Sequence, residues 1–189
     1  VLRRLLNGRG VQRALLLLPA GLLKQWQDEL REKGALLVPR WEDGYLIQPD
    51  GRKAKMEAQE ALAQNPLLLI SREWARLANN RSFLLNAPAW DLVLLDEAHA
   101  ARRKEQKETE FNSGNLLLEL LRDLQFHCQA RGLLLLSATP MQTQPWEPWD
   151  LLSTLGIGGG WLVQFDDLRR YYQGIQCLQD GDLDLGLAQ

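Results

Sequence analysis

The chain has 189 residues, 46% of them hydrophobic, and a formal net charge of −2 at pH 7. That length supports one sizeable core burying roughly 70% of the unfolded surface. The near-neutral balance does not advertise nucleic-acid or membrane binding, although local Lys and Arg or backbone amides can still contact phosphates.

Two isolated cysteines, Cys128 and Cys177, make neither a disulfide framework nor a zinc pattern. Apolar runs of four or five residues are far below a membrane span, and no charged n-region leads into a long apolar h-region. A cytosolic protein is expected.

Taken in chain order, VLRRLLNGRG puts Val1, Leu2, Leu5 and Leu6 on one helical face and stops at Asn7-Gly8. Five short apolar runs then predict fully buried strands at 14–19, 35–39, 66–71, 91–96 and 132–137. Amphipathic stretches at 21–33, 53–64, 72–79 and 115–130 predict helices between them. Residues 40–52 carry Asp-Gly twice and predict a turn or small hairpin. The charged run 100–114 is expected to be a solvated loop. Strand and helix alternating in this way imply right-handed βαβ units in a three-layer α/β/α sandwich with a mostly parallel sheet. The domain is expected over 1–173, with 174–189 as a linker or frayed tail.

The chemistry gathers at two strand ends. Asp96 and Glu97 end the fourth apolar run, where open α/β sheets place their ligands, and His99 follows. In extended backbone the two carboxylates would point opposite ways. In a phosphoryl-transfer site the aspartate holds Mg²⁺ and the glutamate polarises the attacking water. A bare Asp-Glu pair is weak evidence, but Asp-Glu-Ala-His directly after LVLL is more specific. The fifth run enters Ser137-Ala138-Thr139, stopped by Pro140. Small hydroxyl residues there can hydrogen-bond His99 and the carboxylates. Trp26, Trp74 and Trp90 read as core, Trp146, Trp149 and Trp161 as a cluster around a Pro-rich turn, and His127 as a structural histidine. Arg102, Arg103, Lys104 and Lys107 could meet phosphates.

The order of LLLLPAGLLKQWQDEL, LLLISREWARL, LVLLDEAH and LLLLSATPMQT resembles the first ATPase lobe of superfamily 2 helicases. The likeness is best to the Swi/Snf-type DNA translocases, including bacterial members, and it spans about residues 1–175. It implies a RecA-like lobe of a motor that uses ATP and Mg²⁺ and tracks along double-stranded DNA. It also implies a second RecA-like lobe as partner, no membrane, and a cytoplasmic, nucleoid-associated setting. By the same resemblance Asp96 would coordinate Mg²⁺ and Glu97 would be the catalytic base. His99, Ser137 and Thr139 would couple nucleotide state to lobe movement, and Ala20, Gly21, Ser71 and Arg72 would touch the DNA backbone.

Departures from the family pattern are equally informative. Thr143 stands where many members have Asn, and Pro145-Trp146 where they have an acidic-Leu pair. No G-x-x-x-x-G-K-[ST] occurs in the 189 residues, and the glycine-rich GIGGG at 156–160 is followed by Trp161 rather than Lys. Because the helix at 1–6 is the one that follows the phosphate loop in this family, the expectation is a truncated lobe whose loop would lie just before Val1. The polypeptide alone is then expected to be inactive. A restriction-type or RNA-directed superfamily 2 helicase, and a degenerate scaffold lobe, are the alternatives.

Overall fold

The molecule is built around one strand that is hidden from water along its whole length. In this computed structural model, which describes residues 2–8, 10–103, 114–139, 146–156 and 165–179, β1 (Ala14–Leu18) is 0% exposed at all five positions. Expectations placed on Val1, 104–113, 140–145, 157–164 and 180–189 lie outside the described residues. An unbroken Ala-Leu run suits β1 because both of its faces are covered, so neither needs polar residues.

Alternate side chains of β1 belong to opposite cores. Leu15 and Leu17 join Leu68, Ile70, Val93 and Leu95 under α3 (Ala58–Gln64), α5 (Ala78–Leu85) and α6 (Leu116–Phe126). Ala14, Leu16 and Leu18 join Leu69, Leu92 and Leu94 under α2 (Leu23–Glu32), with Leu2 of α1 (Leu2–Asn7) packed at the margin. This is the expected three-layer sandwich.

Five strands form the parallel body, in the order β2 (Arg40–Glu42), β5 (Leu67–Ser71), β1, β6 (Leu92–Leu95) and β7 (Leu133–Leu135). An antiparallel meander of β3 (Tyr45–Ile47) and β4 (Lys53–Lys55) extends the sheet beyond β2. The Asp-Gly signal in 40–52 is thus a hairpin, and Asp43 (φ 49°) and Gly44 (φ 81°) make its two-residue turn. Both central residues at positive φ give the twist that antiparallel strands need.

Three expectations are corrected. The run at 35–39 is not a strand. Helix α2 ends in a reversal in which Gly34 N–H reaches Glu29 O at 3.3 Å and Leu36 N–H reaches Leu30 O at 2.9 Å, with Ala35 at φ 51°. This helix stop consumes the first residues of the run, Leu37 is left 72% exposed, and pairing in named strands begins only at Arg40. A Cβ on Gly34 would lie 2.6 Å from Leu30 O, which explains the glycine there. Residues 53–64 divide into β4 and α3 rather than forming one helix. The stretch 72–79 divides into α4 (Arg72–Ala75) and α5, because Leu77 is extended (φ −67°, ψ 137°).

The loop after β6 also differs from expectation. Arg103 is buried, not solvated: its Nε donates to Asp150 Oδ1 at 2.9 Å, and its guanidinium stacks over Trp149 at 5.0 Å. Asp150 lies on α7 (Trp146–Leu155), is 0% exposed, and also accepts from Arg122 of α6 at 3.3 Å. Burial pushes its carboxyl above the usual range, against the pull of Arg103 and Arg122. Arg102 pairs with the buried Glu147 at 3.4 Å. Helix α8 (Phe165–Gln179) runs six residues past the expected end of the domain at 173.

We expect Asp150→Ala to cost about 3–5 kcal/mol, since it removes the buried carboxylate that both Arg103 and Arg122 bond. Lys24→Ala, which removes an exposed pair with Asp28, should leave the urea midpoint nearly unchanged. Equilibrium unfolding of both variants checks the contrast.

Candidate nucleotide site

Strands β6 and β7 run parallel, so their carboxyl ends deliver both chemistry-bearing segments to one edge of the sheet. Asp96 keeps the ladder for one more residue, its N–H reaching Leu17 O at 3.0 Å. The chain then turns sharply: Glu97 sits in the left-handed region at φ 51°, ψ 52°, and a short 3₁₀ turn follows over Ala98–Ala100. For a residue with a Cβ this conformation costs about 1–2 kcal/mol. It also replaces the extended-backbone argument for diverging carboxylates, because the pair straddles a turn.

Neighbouring elements hold that turn from several sides. Arg72, at the exit of β5, donates through one guanidinium nitrogen to Asp96 O at 3.1 Å and Glu97 O at 3.0 Å. Ala98 N–H donates to Leu136 O at 2.8 Å, locking the turn to the end of β7. Asp96 Oδ1 accepts from Glu97 N–H at 3.0 Å, and Oδ2 accepts from the Trp26 indole N–H at 2.9 Å. Trp26, read from the sequence as core, therefore reaches the site itself. Its ring also walls a cavity of about 520 Å³ lined by Asp96, Leu22 and Gln25 and, from α1, Leu2 and Arg3.

His99 joins the two strand ends. Its Nδ1 lies 3.2 Å from Glu97 Oε2 and 3.2 Å from Ser137 Oγ. Ser137 Oγ in turn accepts from Thr139 N–H at 3.2 Å, so Thr139 enters the cluster through its backbone. Asp96, Glu97, His99, Ser137 and Thr139 thus come together, whereas Ser137 bonds His99 rather than a carboxylate.

The remaining four residues form an adjoining group. Ser71 caps α4, its Oγ accepting from Trp74 N–H at 3.1 Å. One carboxylate, Glu73, gathers the rest: Oε2 accepts from Ala20 N–H at 3.0 Å and from Ser71 Oγ–H at 3.0 Å, and Oε1 from Arg72 Nε at 2.9 Å. Burial alone would raise the Glu73 carboxyl, but the bonds from Arg72, its own amide, Ala20 and Ser71 hold it below the usual range. Gly21 borders open space. Sequence reasoning missed Glu73 and the polar role of Trp26. The signals were present: a partly buried indole N–H needs an acceptor, and Ser71-Arg72-Glu73 at a strand end concentrates donors and an acceptor.

Elsewhere Trp74 and Trp90 follow the core reading, and Trp149, read as part of a cluster around a Pro-rich turn, is buried. Trp90 is fully buried, Trp74 packs against Trp41 and Phe83 at 4.9 and 6.4 Å, and Trp149 is 5% exposed. His127 is exposed at the end of α6, its ring edge-on to Phe126 at 5.2 Å. Among the described residues no helix is long and apolar enough to cross a membrane.

The SNF2-related domain profile matches residues 4–173. The chain belongs to the SNF2-related family. It is 32% identical over 141 residues to the RNA polymerase-associated protein RapA of Pseudomonas putida GB-1, and 31% identical over the same length to that of Stutzerimonas stutzeri. Each alignment covers 74% of this chain and 13% of the relative, so the chain spans about an eighth of those proteins. The fold is that of the Sulfolobus solfataricus SWI2/SNF2 ATPase core. The structure of that core with double-stranded DNA superposes with a TM-score of 0.54 at 14% identity, over 91% of this chain and 31% of the other. The core domain without DNA superposes with a TM-score of 0.53 at 16% identity. The architecture is accordingly a RecA-like lobe.

The strain at Glu97 has a direct consequence. We expect Glu97→Gly to unfold at higher urea than Glu97→Ala, with a difference of about 1 kcal/mol, because glycine adopts this conformation without the Cβ penalty. Equal midpoints would show that the left-handed turn stores no strain.

Proposed function

We propose that this SNF2-family lobe supplies the carboxylate half of an ATP-hydrolysis site in a motor that moves along double-stranded DNA. The observation that carries this reading is the position of His99, with one ring nitrogen 3.2 Å from both Glu97 and Ser137. A histidine so placed reports the Glu97 side chain to the end of β7, which is what coupling hydrolysis to movement requires.

Each residue then has a distinct task. Glu97, whose side chain is 40% exposed, orients an attacking water and takes up its proton. Asp96 presents carboxylate oxygens at the cavity wall. Mg²⁺ asks for one or two carboxylates and fills its remaining positions with water and phosphate oxygens, so a single aspartate with spare lone pairs fits. Both Asp96 oxygens already accept one hydrogen bond and keep capacity for another. Mg²⁺-ATP supplies the transferable phosphoryl group and the charge that stabilises its transfer. Trp26 and the Glu97 amide fix the Asp96 carboxylate, and Arg72 fixes the peptide between the two acids. Ser137 and Thr139 carry the state of His99 into the segment after β7.

Ala20, Gly21, Ser71 and Arg72 are proposed to face the duplex backbone. They lie at the carboxyl ends of β1 and β5, on the same edge as Asp96, and a neighbouring fold was solved in complex with double-stranded DNA. Backbone amides, a hydroxyl and a guanidinium are the donors that phosphates take. A cytoplasmic, nucleoid-associated role remains the matching proposal for location, and a second RecA-like lobe the matching proposal for partner.

These 189 residues contain no phosphate-binding Gly-x-x-x-x-Gly-Lys sequence. Without those amides and that lysine the triphosphate loses most of its anchoring donors, and without an arginine finger the rate falls by about 10³–10⁵. The purified polypeptide should therefore show no DNA-stimulated ATPase; robust turnover would overturn this. In a longer protein containing these residues together with a phosphate loop, Glu97→Gln should lower kcat by about 10²–10⁴. Turnover unchanged by that substitution would remove Glu97 as the base.

A further inference from the structure

Three donors from two separate loops converge on one carboxylate. Ala20 N–H follows β1, Ser71 Oγ–H ends β5, and Arg72 Nε begins α4, and all bond Glu73 at 2.9–3.0 Å. The Glu73 side chain is 42% exposed while Arg72 is 17% exposed, so the acid lies on the outer side of the donors that it joins. The Ala20 N–H···Glu73 bond is itself exposed, and Gly21 beside it borders open space. A carboxylate that accepts an amide, a hydroxyl and a guanidinium N–H imitates the oxygens of a phosphodiester, which take the same three kinds of donor.

We propose that Glu73 is a resident stand-in for a backbone phosphate, and that an incoming phosphate must displace it to reach Ala20, Ser71 and Arg72. The inference rests on the duplex-contact reading of these residues and adds its regulation. Glu73 contributes negative charge where the ligand's charge must sit, so it lowers resting affinity and keeps the two loops in register when no duplex is present. Displacement leaves the other arm of Arg72 on the carbonyls of Asp96 and Glu97. A phosphate on Arg72 Nε therefore pulls on the residue that holds the carboxylate turn, which gives the duplex a direct lever on the nucleotide site.

The test uses the 189-residue chain, its Glu73→Ala variant and, as a charge control remote from the loops, Glu60→Gln on α3. Should Glu73→Ala fail to fold by circular dichroism, Glu73→Gln takes its place, with the same expectations. The first probe is inorganic phosphate, followed by the Ala20 amide and Arg72 Nε resonances. These should shift saturably in the Glu73 variant at phosphate concentrations about tenfold lower than in the parent or the control. Identical titrations in all three overturn the proposal. The second probe is a short fluorescein-labelled duplex. The Glu73 variant should bind at least about threefold more tightly, with the slope of log K against log salt steeper by about 0.9, one added phosphate contact. The two probes separate the claims. Phosphate capture without duplex binding by any protein keeps the stand-in and removes the duplex reading. Duplex binding equal in all three, with no change in phosphate titration, does the reverse.

Discussion

The site depends on one constraint: strand β6 must end in a turn that a glutamate makes in a left-handed conformation. That turn is unfavourable alone, and the surrounding structure holds it. Arg72 takes the carbonyls of Asp96 and Glu97, Leu136 O takes the amide of Ala98, and the Trp26 indole takes the Asp96 carboxylate. These partners come from the exits of β5 and β7 and from α2, so the geometry of the two acids is set by three neighbouring elements at once. Backbone strain of this kind persists where several contacts over-determine it, and such places cluster at functional sites.

A second anchor stands behind the first. The segment leaving the Asp-Glu-Ala-His turn is drawn inward by Arg103, whose partner Asp150 sits on the helix that follows the Ser-Ala-Thr segment. Arg122 of α6 shares the same carboxylate. Ion pairs buried this deeply recover their desolvation cost only with good geometry, so their energetic return is modest. Their effect is on position: the segments following β6 and β7 are joined both at His99–Ser137 and at Arg103–Asp150. Ala98–Leu136 and Arg102–Glu147 add to these two, so the segments are held against each other at several points.

How much of this was legible follows from which residues carry local signals. The buried strands announced themselves as continuous apolar runs, because a strand covered on both faces has no reason to alternate. The run at 35–39 failed for a local reason, since the Gly34 helix stop claims its first residues. The acids, His99 and Ser137 were legible from order and spacing, although the left-handed turn at Glu97 was not, because its stabilising partners lie 24 or more residues away. Arg103 was misread for the same reason. A charge run looks solvated until its partner, Asp150, is brought 47 residues back to meet it. Glu73 was legible only in part: Ser71-Arg72-Glu73 puts donors and an acceptor at a strand end, but the Ala20 amide joins them only where β1 and β5 lie side by side.

Acids and bases are matched locally as well as in total, where 24 Asp and Glu stand against 22 Lys and Arg. On the proposed reading, a duplex needs donors at one edge of the lobe, and such exposed donors are hydrated when no anion is bound, so an acid placed on them affects selectivity more than stability. Here acids are placed directly on donors, Glu73 on Arg72 and Ala20, Asp96 on Trp26, and Asp150 on Arg103 and Arg122. Among these, Asp150 is sealed in the interior, whereas Glu73 is 42% exposed, where on the proposal above its three bonds are traded for those of a competing anion. Burial thus sorts the same chemistry into two roles, a fixed anchor within the fold and an exchangeable one at its functional edge.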